Sequence, residues 1–224
     1  MFIGHWAPAF ATATLQRAPR LPVLVLAAQV VDWLFFALLP LGIERMRVVP
    51  GISAMNPMDL YHLPYTHSLL GGAAIGVLFA LACLGFTGNR RGALIAGLVV
   101  LSHWALDWLV HVPDLTLAGS PPKLGLGLWN RPAIAIPLEL GLIGAGLWLY
   151  TRAMRPSAMR LAVFALVLLA FQLVNWFGPP PQAVTLSLSL TALAAFGLVT
   201  LLAWWLDTST NLPRAGLAID ARRG

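Results

Sequence analysis

Six apolar stretches, each about as long as a membrane span, constrain the fold of this 224-residue chain more than any other feature. A helix needs roughly 20 apolar residues to cross the hydrocarbon core of a bilayer. Mean hydropathy is +0.81 and only 10% of the residues are charged. The chain is therefore more apolar than a water-soluble protein of this length. The expected spans cover approximately residues 21–43, 66–85, 92–112, 132–150, 159–177 and 183–206.

The expected fold is therefore all-α, a polytopic transmembrane helical bundle of six long spans with a short apolar helix before them. Residues 1–16 are apolar, but Arg17 and Arg20 follow this run instead of preceding it, which argues against a cleavable secretory signal. Residues 1–207 are expected to form a single transmembrane domain. Residues 208–224 are polar and are expected to be an unstructured cytoplasmic tail.

Arginines occur mainly in alternate connections between the expected spans. They are Arg17, Arg20, Arg90, Arg91, Arg152, Arg155 and Arg160, with Arg214, Arg222 and Arg223 in the tail. Cytoplasmic loops carry the excess of Lys and Arg, so these connections and the C-terminus are expected in the cytoplasm. Arg45 and Arg47 lie on the opposite side and weaken this contrast. The net charge of +6 reflects topology, and no nucleic-acid partner is expected because the arginines form no continuous stripe.

Four ionisable residues lie inside the expected spans, where a charged side chain costs roughly 2.5–3.5 kcal/mol. They are Asp32, His103, Asp107 and Glu139. Asp32 and His103 are each 12 residues from an arginine at the start of their segment, and Glu139 is 13 residues from Arg152. His5 and Gln172 are also 12 residues from such an arginine. Five segments therefore carry a polar group to a similar depth, about 18–20 Å, which predicts one buried polar site.

The stretch LSHWALDWLVH places His103, Asp107 and His111 at positions i, i+4 and i+8, on one face of a helix. Imidazole and carboxylate groups on neighbouring turns can share one coordination sphere, and His67 lies at the mouth of the preceding span. We therefore expect a divalent metal site that also includes Asp32. Two simpler readings remain open: His111 suits the carbonyl end of its helix, and Asp32 alone could be hydrogen-bonded within the bundle.

Four short motifs follow one another along the first half of the chain. They are Gly4-His5, the isolated Asp32, HLPYTHSLL over residues 62–70 and LSHWALD over residues 101–107. Their order and spacing resemble a bacterial inner-membrane family known as membrane-bound metal-dependent hydrolases, which reads G-H, acidic residues, H-R-G-x-T-H-S-L and S-H-x-x-x-D. Leu63 and Pro64 stand where that family has Arg and Gly, so an anion-clamping role of that arginine does not transfer.

The resemblance implies a location in a bacterial inner membrane and a metal-dependent hydrolytic activity. It also implies a metal site with His62 nearby, formed by His5, Asp32, His67, His103 and Asp107. Mixed imidazole and carboxylate ligands suit zinc, with manganese or iron as alternatives, and their number allows one or two ions. Such a metal lowers the pKa of a bound water and supports hydrolysis.

A site in the outer half of the bilayer is most easily reached by a lipid, so the expected bond is an ester or phosphoester of a lipid or lipid-linked substrate. Glu139 is a candidate general base, bridging ligand or proton relay. His62 is a candidate catalytic residue, and a metal ligand, a substrate-facing residue or a solvated loop residue are the alternatives. Gln172 or Asn175 could orient the substrate, and the loop over residues 120–132 could cover the site. The oligomeric state is left open.

Two other classes of function fit the same residues. Buried Asp, Glu and His also mark metal-ion and proton pathways, and a transporter would be favoured by helices broken near residues 69–72 or 136–139. The third possibility is a non-catalytic membrane protein whose metal only holds helices together.

Overall fold

The computed structural model describes residues 1–210, and these form an all-α transmembrane bundle. Its helices are α1 (Ala7–Thr12), α2 (Leu21–Leu38), α3 (Leu69–Thr87), α4 (Arg90–Val110), α5 (Pro132–Met154), α6 (Ala158–Phe177) and α7 (Leu186–Asp207). The last six are long and apolar enough to cross a membrane, which confirms the predicted fold class and a multi-pass membrane protein. The predicted tail lies outside the described residues from position 211 onward.

The ends of the spans differ from the predicted ends by a few residues. Helix α2 stops at Leu38 instead of residue 43, because Pro40 has no N–H with which to continue the helical hydrogen bonds. Helix α3 begins at Leu69 instead of residue 66, because Ser68 caps it and accepts a hydrogen bond from the Gly71 N–H at 3.0 Å.

Two small antiparallel hairpins lie in connections for which the sequence predicted no secondary structure. Strands β1 (Arg45–Val48) and β2 (Met58–His62) join α2 to α3, and β3 (Leu115–Thr116) and β4 (Lys123–Leu124) join α4 to α5. Both lie at the same end of the bundle, called here the hairpin end. The opposite end, called the arginine end, carries the arginine-rich connections, where Arg20 Nε lies 3.0 Å from Asp207 Oδ2.

Small residues allow close packing of the helices around the site. A Cβ on Gly76 of α3 would lie 2.9 Å from the Gly97 carbonyl oxygen of α4, so these two backbones touch. A Cβ on Gly146 of α5 would lie 2.8 Å from the Ala7 carbonyl oxygen of α1. The second contact seats the N-terminal segment against the inner face of α5.

The N-terminal segment lies within the bundle. A 3₁₀ turn, Ile3–Trp6, precedes α1, and all four of its residues are buried. Helix α1 has six residues, a rise of about 9 Å, which is too short to cross a bilayer. The segment is therefore half-inserted, and it carries His5 into the interior.

Candidate metal centre

Asp107 of α4 is the centre of the polar site, because four histidines point at its carboxylate. Its Oδ1 lies 3.0 Å from His5 Nε2 and 3.2 Å from His111 Nε2. Its Oδ2 lies 3.2 Å from His103 Nε2 and 3.6 Å from His67 Nε2. Asp107 and all four histidines are buried. Residues from three separate segments therefore converge on Asp107: the N-terminal turn, the connection before α3, and α4 with its cap.

Asp32 of α2 supplies a second carboxylate on the far side of two of these rings. Its Oδ1 lies 3.2 Å from His67 Nε2 and 3.5 Å from His103 Nε2. Its Oδ2 accepts a hydrogen bond from Gln29 Nε2 at 2.6 Å. The rings of His67 and His103 thus lie between Asp32 and Asp107. We call these residues, together with His5 and His111, the cluster.

The hydrogen bonds of His103 fix which ring nitrogen carries its proton. Its Nδ1 lies 2.9 Å from the Ala28 carbonyl oxygen, which can only accept, so Nδ1 is the protonated nitrogen. In the neutral ring Nε2 then carries a bare lone pair that faces two carboxylates. Within residues 1–210 this buried Nε2 has no hydrogen-bond partner.

His67 has the same arrangement through a relay of two residues. Thr66 Oγ1 donates its only proton to Glu44 Oε2 at 2.5 Å, so it accepts from His67 Nδ1 at 2.7 Å. Glu44 is fully buried and also accepts the backbone N–H groups of Thr66 at 2.7 Å and Tyr65 at 3.1 Å. His67 Nε2 is therefore the free nitrogen, and it points at Asp32 and Asp107.

His111 follows the last residue of α4 and repeats this pattern. Its Nδ1 lies 2.9 Å from Asp114 Oδ1, and its Nε2 faces Asp107. Burial disfavours the imidazolium, but the carboxylates of Asp107 and Asp114 outweigh burial and raise the pKa of His111 to about 9. The ring of Trp129 packs on the His111 ring with a centroid distance of 4.2 Å.

These contacts fit a divalent cation. Three imidazoles each give their Nδ1–H to a carbonyl, hydroxyl or carboxylate oxygen and direct Nε2 inward, which is the usual arrangement around metal-ligating histidines. Lone pairs of neutral imidazoles repel carboxylate oxygens at these distances, so a proton or a cation must lie between them. The two carboxylates carry a charge that one divalent ion would balance.

The N-terminal turn completes the site from the side of α5. The His5 ring stacks on the His103 ring with a centroid distance of 3.7 Å and an interplanar angle of 4°. Within the described chain His5 Nδ1 is buried without a hydrogen-bond partner. The α-amino nitrogen of Met1 lies 2.6 Å from Asp107 Oδ1.

Glu139 and Gln172 hold this turn in place. Glu139 Oε1 accepts the backbone N–H groups of Phe2 at 2.6 Å and Gly4 at 3.1 Å, and Glu139 Oε2 accepts from Gln172 Nε2 at 3.1 Å. Gln172 Oε1 accepts the Ile3 N–H at 3.3 Å. No histidine of the described chain lies within ion-pair distance of Glu139, so its contacts are those of a positioning residue. Its predicted role as a general base stays a prediction.

The structure does not bring His62 into the cluster. His62 ends strand β2, is exposed and pairs with Arg45 across the hairpin. The expectation that it lies beside the metal ligands is therefore not met. In the loop expected to cover the site, Trp129 reaches His111, whereas Lys123 Nζ donates to the Tyr61 carbonyl oxygen at 3.1 Å.

Sequence reasoning missed the residues that orient the ligands. The sequence analysis assigned no ligand-orienting role to Glu44, Thr66 or Asp114. The adjacent Thr66-His67 pair and the spacing of three between His111 and Asp114 were the available signals.

No family model matches the chain, and neither curated proteins nor solved structures gave a match. The motif resemblance to membrane-bound metal-dependent hydrolases therefore stays a prediction.

Proposed function

We propose that this protein is a membrane-embedded metal-dependent hydrolase that cleaves an ester or phosphoester of a lipid or lipid-linked substrate. The observation that carries the proposal is the common orientation of His67, His103 and His111. An oxygen acceptor holds Nδ1 of each ring, and each Nε2 points at Asp32 or Asp107. Burying ionisable groups in membrane spans costs free energy, and joint binding of a metal ion would explain why these groups lie together.

Asp32, His67, His103 and Asp107 would hold one ion between them. His5 and His111 reach the other oxygen of Asp107, so a second ion could share that carboxylate. Imidazole with carboxylate favours zinc, and manganese or iron also fit. When bound, such an ion supplies Lewis acidity and lowers the pKa of a water molecule toward neutrality.

The chain itself supplies positioning and exclusion of water. Both carboxylates line a cavity that leads away from the cluster, and Asp32 is 17% exposed whereas Asp107 is 2% exposed. A substrate would therefore approach from the Asp32 side. Asn175 of α6 also lines this cavity and is the remaining candidate for orienting the substrate, because the Gln172 amide is engaged by Glu139 and Ile3.

The positive-inside rule supports a bacterial inner-membrane topology in which the arginine end and the C-terminus are cytoplasmic. In this topology the cluster and its cavity belong to the half of the bilayer on the hairpin side. The expected substrate then comes from the outer leaflet.

The transport alternative gains no support from the helices. Helix α3 runs unbroken from Leu69 through Gly71 and Gly72, and α5 continues through Pro137. A purely structural metal is disfavoured by the cavity at Asp32, because structural sites are closed whereas catalytic sites keep an open position.

Elemental analysis of purified wild type, Asp107→Asn and His62→Gln tests the shared premise. We expect stoichiometric metal in wild type and in His62→Gln, the matched control outside the cluster, and at least a tenfold loss in Asp107→Asn. Equal metal content in wild type and Asp107→Asn would refute the site. Turnover of lipid esters and phosphoesters in detergent, lost in Asp107→Asn and kept in His62→Gln, then tests for an enzyme. Metal uptake into sealed vesicles tests for a carrier.

A further inference from the structure

A cavity of about 750 Å³ extends from the cluster toward the hairpin end, between α2, α6 and α7. Sites for small ligands are typically about 300–1,000 Å³, so this one has room for a large part of one amphiphilic molecule. Asp32, His67, Asp107 and His111 line its inner end. The cavity is therefore continuous with the candidate metal centre.

The rest of the wall is mainly apolar. It includes Phe35 and Phe36 of α2, Phe171 of α6, and Ala192 and Phe196 of α7. No lysine or arginine of the described chain lines it. An occupant that satisfies both parts of the cavity has a polar group at the cluster and a hydrocarbon portion along α6 and α7.

Exposed residues of α6 and α7 line one side of the cavity. Val174 of α6 is 68% exposed, Thr191 of α7 is also exposed, and both line the cavity. Each lies inside a helix that can span the membrane. A surface exposed at that level faces lipid chains, so the gap between α6 and α7 connects the cavity to the bilayer.

Two connections line the cavity at the hairpin end. The connection over residues 50–58 and the prolines at 179–181 line the cavity at the hairpin end. Ser53 Oγ donates to the Asn56 carbonyl oxygen at 2.7 Å and accepts the Asn56 N–H at 3.0 Å, which orders this connection. The Ala54 N–H donates to Asn130 Oδ1 at 3.3 Å and ties it to the next loop.

Helices α6 and α7 are fastened to each other at the arginine end. Arg160 Nη1 donates to the Trp205 carbonyl oxygen at 2.7 Å and to Thr208 Oγ1 at 2.8 Å, and the Ser157 N–H donates to Ser209 Oγ at 3.1 Å. At the hairpin end the cavity lies between the same two helices. The hydrogen bonds between α6 and α7 and the cavity that both helices line are therefore at opposite ends of the pair.

We propose that this cavity binds the hydrocarbon chain of a membrane lipid, which enters laterally between α6 and α7 and places its phosphate or ester at the cluster. The proposal rests on the proposed function for the fate of that bond, but the binding of the chain is a separate property. The expected substrate is a lipid from the leaflet at the hairpin end, as opposed to a water-soluble ester or phosphate.

The test uses the full-length protein in vesicles that contain a phospholipid with a photoactivatable acyl chain. We expect cross-links on α6 and α7 in wild type. Ala195→Trp fills the cavity and should lower labelling roughly tenfold, the loss expected when about two methylene groups lose apolar contact. The matched control is Ala194→Trp, because Ala194 is exposed on the same helix and does not line the cavity. Ala195→Leu is a smaller change that should give an intermediate loss of labelling. It replaces Ala195→Trp as the test variant if Ala195→Trp does not fold.

Labelling that falls with the size of the side chain at position 195 and is unchanged in Ala194→Trp supports the proposal. Labelling that is equal in all four proteins overturns it. Metal content is measured on the same samples and should be unchanged by Ala195→Trp. Loss of labelling with normal metal content shows that Ala195→Trp disrupts only the binding of the hydrocarbon chain. Normal labelling without any bound metal refutes the proposed hydrolase but supports the lipid-binding cavity.

Discussion

Replacing Thr66 by valine should weaken metal binding without touching a predicted ligand. Thr66 Oγ1 is the acceptor for His67 Nδ1 at 2.7 Å and the donor to Glu44 Oε2 at 2.5 Å, and valine keeps the shape while removing both contacts. His67 is 3% exposed, so its Nδ1–H would lose its partner in a buried position at a cost of about 1–3 kcal/mol. Loss of a group that orients a ligand typically lowers metal affinity about 10- to 100-fold, which is about 1.4–2.7 kcal/mol and agrees with that cost.

The assay is competition for zinc between the detergent-solubilised protein and a chelator of known affinity. Thr66→Ser is the matched control because it keeps the hydroxyl, and we expect its affinity to stay close to that of wild type. Thermal unfolding of the metal-free proteins separates a loss of affinity from a loss of folding. A Thr66→Val protein that folds and binds zinc as tightly as wild type would refute the relay from Glu44 through Thr66 to His67.

Three further predictions concern packing, the N-terminal turn and pH. Gly76→Val should lower the free energy of unfolding in detergent by about 1–3 kcal/mol, because its Cβ would lie 2.9 Å from the Gly97 carbonyl oxygen. Gly85→Val is the control, because a Cβ on Gly85 meets nothing within 4 Å. Equal unfolding midpoints of the two variants would contradict this prediction. Glu139→Ala removes the acceptor of two backbone N–H groups, so hydrogen exchange in the N-terminal turn should become at least about tenfold faster, and unchanged exchange would argue against the positioning role. Because the pKa of His111 is raised from 6.5 to about 9, its contribution to the stability of the metal-free protein is fully present below pH 6.5 and is lost as the pH rises through 9. Unfolding midpoints measured across this range should fall in wild type and fall less in His111→Gln; parallel slopes would disprove it.

Much of the fold follows from local properties of the sequence. The six spans are set by the length of apolar helix that matches the bilayer, a quantity that needs no knowledge of neighbours. Helical periodicity likewise aligned His103, Asp107 and His111, which lie in one helix and its cap. The similar depth of His5, Asp32 and His103 was also predictable, because distance from an arginine anchor measures depth when every span is a helix.

Only the tertiary structure decided how the cluster is supported and how it is reached. Glu44 and Thr66 are 22 residues apart, and Glu139 is 137 residues from the Phe2 N–H that it accepts, so neither contact has a local signal. The cavity lies between α2, α6 and α7, and side-chain packing determines how these helices are placed relative to one another. Depth along a helix can be counted from the sequence, but rotation about the helix axis and the distance to a neighbouring helix are fixed only when the helices pack.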